Sequence, residues 1–169
     1  MYSEELLEKM NQLYLVLKQD HKDVRTANIN AKSPYSKTIN DYIKTEEELK
    51  LYMNACLVES FVVRPTLVFD VKPDYLTPSG KTNLERMLNG EAPFDTATGQ
   101  VIQLHHIGQQ YESPFAELPQ LLHIGTETYS ILHDTKIESW RLNKKLVRLT
   151  TKEAIEHWRK RGEKLGSSP

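Results

Sequence analysis

The sequence contains a single cysteine and no long apolar run. Cys56 is the only cysteine among 169 residues, so the chain cannot form an internal disulfide. Its apolar neighbours Ala55, Leu57 and Val58 predict that this thiol is buried and structural. There is no stretch of about eighteen apolar residues, which argues against a membrane-spanning helix. The segment Met1 to Glu5 is acidic and unlike a secretory signal, so we expect a cytoplasmic protein.

The chain also lacks a strong excess of charge of either sign. Its net charge is −1, its mean hydropathy is −0.56, and 38% of its residues are hydrophobic. These values fit about one globular domain. Basic residues nevertheless concentrate near the carboxyl end, where the stretch from Lys136 to Leu165 contains ten Lys or Arg but only four acidic residues. Such a stretch could neutralise phosphates, or it could simply be the solvated face of a helix.

Hydrophobic spacing and capping signals predict a series of helices. The predicted helices follow Ser3, Thr45, Thr82 (roughly residues 83–89) and Thr150, and the last of them ends at Gly166. The polar stretch from Asp20 to Asn40 shows no clear period and contains Ser33 followed by Pro34, which predicts a loop or linker.

Short apolar runs between these helices predict strands. Phe61 to Val71 is rich in Val and Phe and is expected to form one or two strands. Val101 to Leu104 is predicted as a strand that leads into His105 and His106. Phe115 to Leu118 is expected to form another strand, and Pro119 then opens a helix that carries His123. The predicted order is therefore strand, loop, strand, helix.

Four of the six histidines, His105, His106, His123 and His133, lie within a stretch of 29 residues. Neutral imidazole is a common ligand of zinc-like metals and can also act as a general base near pH 7. Adjacent residues of a strand point to opposite sides, so one member of the pair could bind a metal while the other faces a substrate. Such histidines can also be surface or core residues, and their spacing matches no standard zinc motif. The pattern therefore indicates a metal but names no reaction.

A family resemblance supplies a reaction. The chain is similar, over about residues 66 to 165, to the LHH branch of the HNH/endonuclease VII nuclease superfamily. The segments that carry the resemblance are Thr82–Met87, Gly90–Asp95, Leu104–Gln109, Phe115–Leu118, His123 and Ile131–Asp134. The resemblance implies an α+β fold with a ββα-metal (His-Me finger) core, additional N-terminal helices and a C-terminal basic helix. We expect a helical segment at residues 1–60 and the nuclease domain at residues 61–169, together forming one compact unit.

The resemblance also implies roles for the histidines. His105 would bind one divalent cation, His106 would be the general base, and His123 would be the second ligand. His133 resembles the last ligand, although ten residues separate it from His123, and Glu127 is the rival for that position. The cation could be Mg, Mn, Ni or Zn.

Several charged and aromatic residues have two readings at this stage. Arg86 could hold a phosphate or pair with Glu85 or Asp95, and Glu117 could orient a ligand imidazole or lie on the surface. Trp158 and Trp140 could stack on bases, but the helical spacing of Trp158 favours the core. The basic residues expected to contact nucleic acid are Arg86, Arg159, Lys160 and Arg161.

The expected function is that of a metal-dependent endonuclease that hydrolyses phosphodiester bonds, with DNA as the expected substrate. The resemblance suggests a toxin effector or a role in bacterial or phage conflict, in which case the protein could be delivered out of the cell. Residues 1–60 could then bind a partner protein, an immunity protein or a second copy of the chain, or they could simply complete the fold. The alternative is a non-catalytic nucleic-acid-binding module with a structural His-bound metal. A closed four-ligand site would favour this alternative, and an open site with His106 free would favour the nuclease.

Overall fold

A computed structural model of the protein describes residues 3–168. Residues 1, 2 and 169, at the ends of the two predicted segments, lie outside this range. Within it the chain forms seven α-helices and four strands. In chain order they are α1 (Glu4–Lys32), α2 (Lys37–Asn40), α3 (Glu46–Asn54), β1 (Val58–Phe61), β2 (Pro65–Val68), α4 (Asn83–Leu88), β3 (Ile102–His106), β4 (Phe115–Pro119), α5 (Gln120–Ile124), α6 (Tyr129–Leu132) and α7 (Lys144–Gly166). Short 3-10 turns follow β3 at Ile107–Gln109 and precede α7 at Trp140–Leu142.

The strands form one small mixed sheet in the order β1-β2-β4-β3. β1 and β2 are an antiparallel hairpin, β2 pairs with β4 in parallel, and β3 pairs with β4 antiparallel. In the last pair His105 lies opposite Ala116 and His106 opposite Phe115. Helix α5 follows β4 directly, so β3, β4 and α5 form the ββα unit of the expected α+β fold.

The N-terminal helices and the rest of the chain share one apolar core. Ile29 at the end of α1 and Tyr52 in α3 are almost fully buried, in the same cluster as Leu67, Leu118 and Leu132. A second cluster joins α4 and α7 to the sheet through Val71, Met87, Ile102 and Trp158. Trp158 is therefore a core residue, as its spacing predicts. The expected division at residue 60 does not separate two hydrophobic cores.

The predicted loop from Asp20 to Asn40 is wrong. Helix α1 continues to Lys32, and α2 begins only five residues later. The polar composition hid the helix, because most of α1 is exposed and only its end at Ile29 is buried. Side-chain pairs four residues apart, such as Gln19 with Asp23, support a helix of this polar kind. The chain leaves the helix at Ser33, immediately before Pro34, which disfavours helical backbone in the residue before it.

Other boundaries and one burial prediction also differ. Helix α7 begins at Lys144, where the Asn143 side chain caps it, and not behind Thr150. The first strand begins at Val58, ahead of the predicted Phe61. Cys56 is exposed, because it lies in the left-handed turn that ends α3, at φ 56°, and its side chain points away from the core. Its apolar neighbours in sequence were therefore misleading.

The remaining predictions of secondary structure are confirmed. Thr45 caps α3, and Thr82 and Glu85 form a complete capping box at α4. The strands that flank the histidines and the helix after Pro119 all form. None of the helices in residues 3–168 is both long and apolar enough to cross a bilayer.

Candidate metal centre

Three of the four clustered histidines meet at one point of the ββα unit. His105 comes from β3, His123 from α5, and His133 from the end of α6. Each offers a ring nitrogen, and these three atoms lie within 4.8 Å of one another. Nδ1 of His105 and Nε2 of His123 are 3.2 Å apart. The chain therefore brings together nitrogen donors that lie 28 residues apart in the sequence.

The spacing of these nitrogens fits a shared metal ion. Two ligands bonded at about 2.0 to 2.1 Å in a tetrahedral site lie about 3.3 to 3.4 Å apart. The observed 3.2 Å between His105 and His123 is close to that value. The wider spacing to His133 would close by a small shift, since His133 is only half-buried and follows a helix of four residues. The donor set is therefore suited to a borderline divalent cation.

The surroundings keep all three imidazoles neutral, which is the form that binds metal. Burial lowers the pKa of His105 well below its usual value, and the nearby His123 and His133 lower it further. Burial, followed by the charge of His133, lowers the pKa of His123 to about 4. Burial is also the main cause that lowers the pKa of His133. Each ring therefore presents a lone pair at neutral pH.

Two neighbouring groups orient the ligand rings. The Gln103 side-chain oxygen lies 2.7 Å from Nδ1 of His123. Because this oxygen can only accept, Nδ1 carries the proton and Nε2 is left to face His105. The Tyr129 carbonyl lies 3.2 Å from Nδ1 of His133, and the Tyr129 ring stacks on the His133 ring with the centroids 4.4 Å apart. These contacts resemble the outer contacts by which proteins fix metal-bound histidines.

His106 faces different neighbours from His105, as expected for adjacent strand residues. Its ring packs edge-on against Phe115, with the centroids 4.9 Å apart, and lies tilted against the Trp140 ring at 4.8 Å. Neither ring nitrogen has a hydrogen-bond partner among the described residues, and both are shielded from solvent. Burial lowers the pKa of His106 to about 3, and the charges of Arg64 and Arg141 add to this effect. The side chain is therefore a neutral, unpartnered imidazole beside the metal ligands.

A cleft of about 310 Å³ opens onto these histidines. His105, His106 and His133 line its floor, and the segment from Asp134 to Arg141 forms its wall. Arg141 is exposed, lies over the Trp140 ring at 5.0 Å, and makes no ion pair within residues 3–168. Its guanidinium is therefore available to an anion that enters the cleft.

Glu127, the rival ligand, does not reach the cluster. Helix α5 ends at Ile124, so the helical spacing that would have placed Glu127 beside His123 is interrupted at Gly125. Glu127 is exposed and does not belong to the group of convergent donors.

Glu117 has neither of its two predicted roles. It is fully buried, and it accepts hydrogen bonds from Nε2 of His157 at 2.8 Å and from Nε of Arg161 at 2.7 Å. It also accepts from the backbone N–H of Phe69. The carboxylate thus joins β4 to α7 and orients no metal ligand. This contact also corrects the role predicted for Arg161, because its guanidinium is buried against Glu117 and a phosphate cannot reach it.

The other predicted phosphate contacts lie in different settings. Arg86 donates to the Ala92 carbonyl, pairs with Glu91 at 3.2 Å and lies over the Phe94 ring, so its partner is neither Glu85 nor Asp95. Arg159 and Lys160 are exposed on α7, where Lys160 pairs with Glu156 at 3.1 Å. The geometry does not connect these three residues to the cleft.

Two useful residues of the site were not identified from the sequence. Gln103 lies two positions before His105, and the alternation of strand side chains could have placed it on the same face. Arg141 is part of the basic stretch, but nothing in that stretch distinguishes it from its neighbours. The position of Arg141 at the cleft depends on the 3-10 turn that brings Trp140 over His106.

A histidine pair on a strand, with further histidines converging from the following helices, is the arrangement expected of a ββα-metal nuclease. Comparison with known families agrees: residues 82–164 match the family described as a nuclease of the HNH/ENDO VII superfamily with conserved LHH. The matched segment contains all four clustered histidines, so the part of the chain that carries the candidate metal centre is similar to this nuclease family. No solved structure gave a significant match.

Proposed function

We propose that this protein is a metal-dependent endonuclease that hydrolyses phosphodiester bonds, with DNA as its substrate. In this proposal His105, His123 and His133 hold one divalent cation, and His106 is the general base. The observation that carries the proposal is the convergence of three neutral imidazoles in a cleft whose floor also includes His106. The match of residues 82–164 to the LHH nuclease family supports it.

The residues of the site have different roles in hydrolysis. When bound, the divalent cation would act as a Lewis acid that stabilises negative charge on the phosphate and on the departing oxygen. A ring nitrogen of His106 takes the proton from a water molecule, whose oxygen attacks phosphorus while the bond to the leaving 3′ oxygen breaks. Arg141 binds a phosphate oxygen at the wall of the cleft. Gln103 and Tyr129 hold the ligand rings in place.

The position of Trp140 implies a movement during substrate binding. Both nitrogens of His106 are shielded, and Trp140 packs on the ring. A water molecule can therefore reach the base only if a group packed on the ring shifts, and of its two aromatic neighbours Trp140 is less buried than Phe115. We infer that nucleic acid displaces the Trp140–Leu142 turn as it enters, which agrees with the common observation that catalytic contacts tighten only in the complex.

The number of ligands favours catalysis over the structural-metal alternative. Structural zinc sites have four protein ligands, whereas catalytic sites have three and keep a position open for water or substrate. Within residues 3–168 the convergent group has three members. We further propose, from the family alone, a role as a toxin effector or in bacterial or phage conflict. Residues 1–60 could then bind an immunity protein, another partner or a second copy of the chain.

The direct test is cleavage of supercoiled plasmid and of a labelled RNA by the purified protein. We expect no cleavage in EDTA and restored cleavage of the plasmid when Mg, Mn, Ni or Zn is added back. Cleavage that persists in EDTA would contradict the metal requirement. A protein that binds metal and nucleic acid but cleaves neither polymer with any of these ions would support the non-catalytic alternative.

Replacement of Arg141 by alanine is expected to weaken the binding of nucleic acid. Loss of one phosphate contact reduces the slope of log Kd against log salt concentration by about 1. The measurement is a salt series of duplex binding in EDTA, which prevents cleavage. Arg25→Ala, which removes an equal charge from α1 outside the cleft, is the matched control. Equal slopes for Arg141→Ala and wild type would show that Arg141 makes no phosphate contact.

A further inference from the structure

We infer that Gln109 is the positioning residue for the third metal ligand, His133. This inference rests on the proposed function, since it concerns the affinity of the same site for a divalent cation. His133 is the least buried of the three histidines, and it lies where α6 ends and an exposed segment begins. Something must hold this segment against β3 if His133 is to complete the site.

The Gln109 side chain provides that contact. Its Oε1 accepts a hydrogen bond of 2.7 Å from the backbone N–H of Asp134, and its Nε2 donates to the Asp134 carbonyl at 3.3 Å. The amide thus binds both backbone groups of the residue that follows His133. This paired contact fixes the chain at the point where it leaves the ligand.

Residues that precede the matched family segment fix the orientation of this amide. Nζ of Lys44, between α2 and α3, donates to Oε1 of Gln109. Because an ammonium group can only donate, Lys44 selects the orientation in which Oε1 also faces the Asp134 N–H and Nε2 faces its carbonyl. The N-terminal segment therefore contributes to the metal site through Gln109.

The N-terminal segment also fixes the backbone at Gln109. Gln109 has a left-handed conformation with φ 60°, and Gly108 before it has φ 74°. A Cβ at Gly108 would lie 2.6 Å from the Tyr42 carbonyl oxygen, so the turn packs directly on the segment after α2. The segment on which the turn packs is itself fixed by the buried Glu48 carboxyl, which accepts hydrogen bonds from the backbone N–H of Lys44 and from the Tyr52 hydroxyl. The amide of Gln109 is therefore presented from a rigid turn.

The test measures metal affinity in two variants that remove the contact in different ways. Gln109→Met keeps the length of the side chain without its amide. Gln109→Asn keeps the amide but is one methylene shorter, and it tolerates the left-handed backbone well. Gln110→Met is the matched control, because Gln110 is the exposed neighbour and its side chain makes no hydrogen bond in the described part of the chain. Metal-free proteins are titrated with Co²⁺ and followed by visible absorption, and their melting temperatures are measured with and without the ion.

Outer contacts of this kind change metal affinity by about 10- to 100-fold. We expect a loss of that size for both Gln109 variants and wild-type affinity for Gln110→Met. A role in folding alone would lower the melting temperature of the metal-free protein, whereas a positioning role lowers the increment in melting temperature that the ion produces. Wild-type affinity in both Gln109 variants would overturn this inference and leave the proposed function standing. A wild-type protein that binds no divalent cation would overturn both this inference and the proposed function.

Discussion

His106→Ala is expected to lower the rate constant of plasmid cleavage by about 10²- to 10⁴-fold, which is the usual contribution of a general base. The cation should remain bound with unchanged affinity, because the His106 ring packs on Phe115 and Trp140 while the three convergent rings lie elsewhere. The measurement is the nicking rate at saturating protein and metal, together with the metal content of the same sample.

A role of His106 as the general base can be distinguished from a role in packing. The alanine variant leaves a space between Phe115 and Trp140, and free imidazole added to the solution should enter it and recover part of the rate. No recovery with imidazole, together with an altered metal affinity, would indicate that His106 acts only by packing. A variant that cleaves at the wild-type rate would exclude His106 as the base.

Glu117→Gln is expected to reduce the free energy of unfolding by about 3 to 5 kcal/mol, the cost of breaking a buried ion pair on one side. The substitution leaves the Arg161 guanidinium buried without a negative partner and weakens the contact with His157. It also loosens α7 from β4 behind the metal site. Urea unfolding of the two proteins provides the measurement.

The pKa of the Glu117 carboxyl predicts how the stability of the protein depends on pH. Burial alone would raise the pKa of Glu117, but the hydrogen bond from His157 and the charge of Arg161 outweigh it and hold this pKa below its usual value. A carboxyl with a lowered pKa in the folded state stabilises the protein above the pKa of the unfolded state, and this stability is lost as the pH falls through the folded value. The difference in stability between wild type and Glu117→Gln should therefore shrink as the solution is acidified below the ordinary range of a glutamate.

An exposed glutamate shortly before the same strand controls for the change in charge. Glu112→Gln, just before β4, should change the free energy of unfolding by less than about 0.5 kcal/mol, as surface substitutions usually do. A loss of stability in Glu112→Gln as large as that in Glu117→Gln would show that the net charge of the protein matters more than the buried pair.

The local signals in the sequence identified the elements around the site well. The caps at Thr45 and Thr82 and the alternation before His105 depend on residues close in sequence, so one sequence is enough to predict them. The resemblance to the LHH nucleases led to the expectation that His105, His123 and His133 would share a site, and the structure brings them together.

What the sequence could not predict depends on contacts between distant segments. The role of Glu117 required knowing that α7 crosses β4, which places Arg161 44 residues away beside it. The contact of Lys44 with Gln109 spans 65 residues and has no periodic signature. The extent of α1 was missed for the opposite reason: a polar, exposed helix has little apolar pattern to detect.

The central claim is that His105, His123 and His133 together bind one divalent cation, and a calorimetric titration of the metal-free protein tests it most directly. Wild type and His21→Ala, which removes an exposed histidine from α1, should each bind one ion per chain, whereas His123→Ala should lose most of its affinity. Binding to His123→Ala as tight as to wild type, or no binding to wild type, would contradict the account.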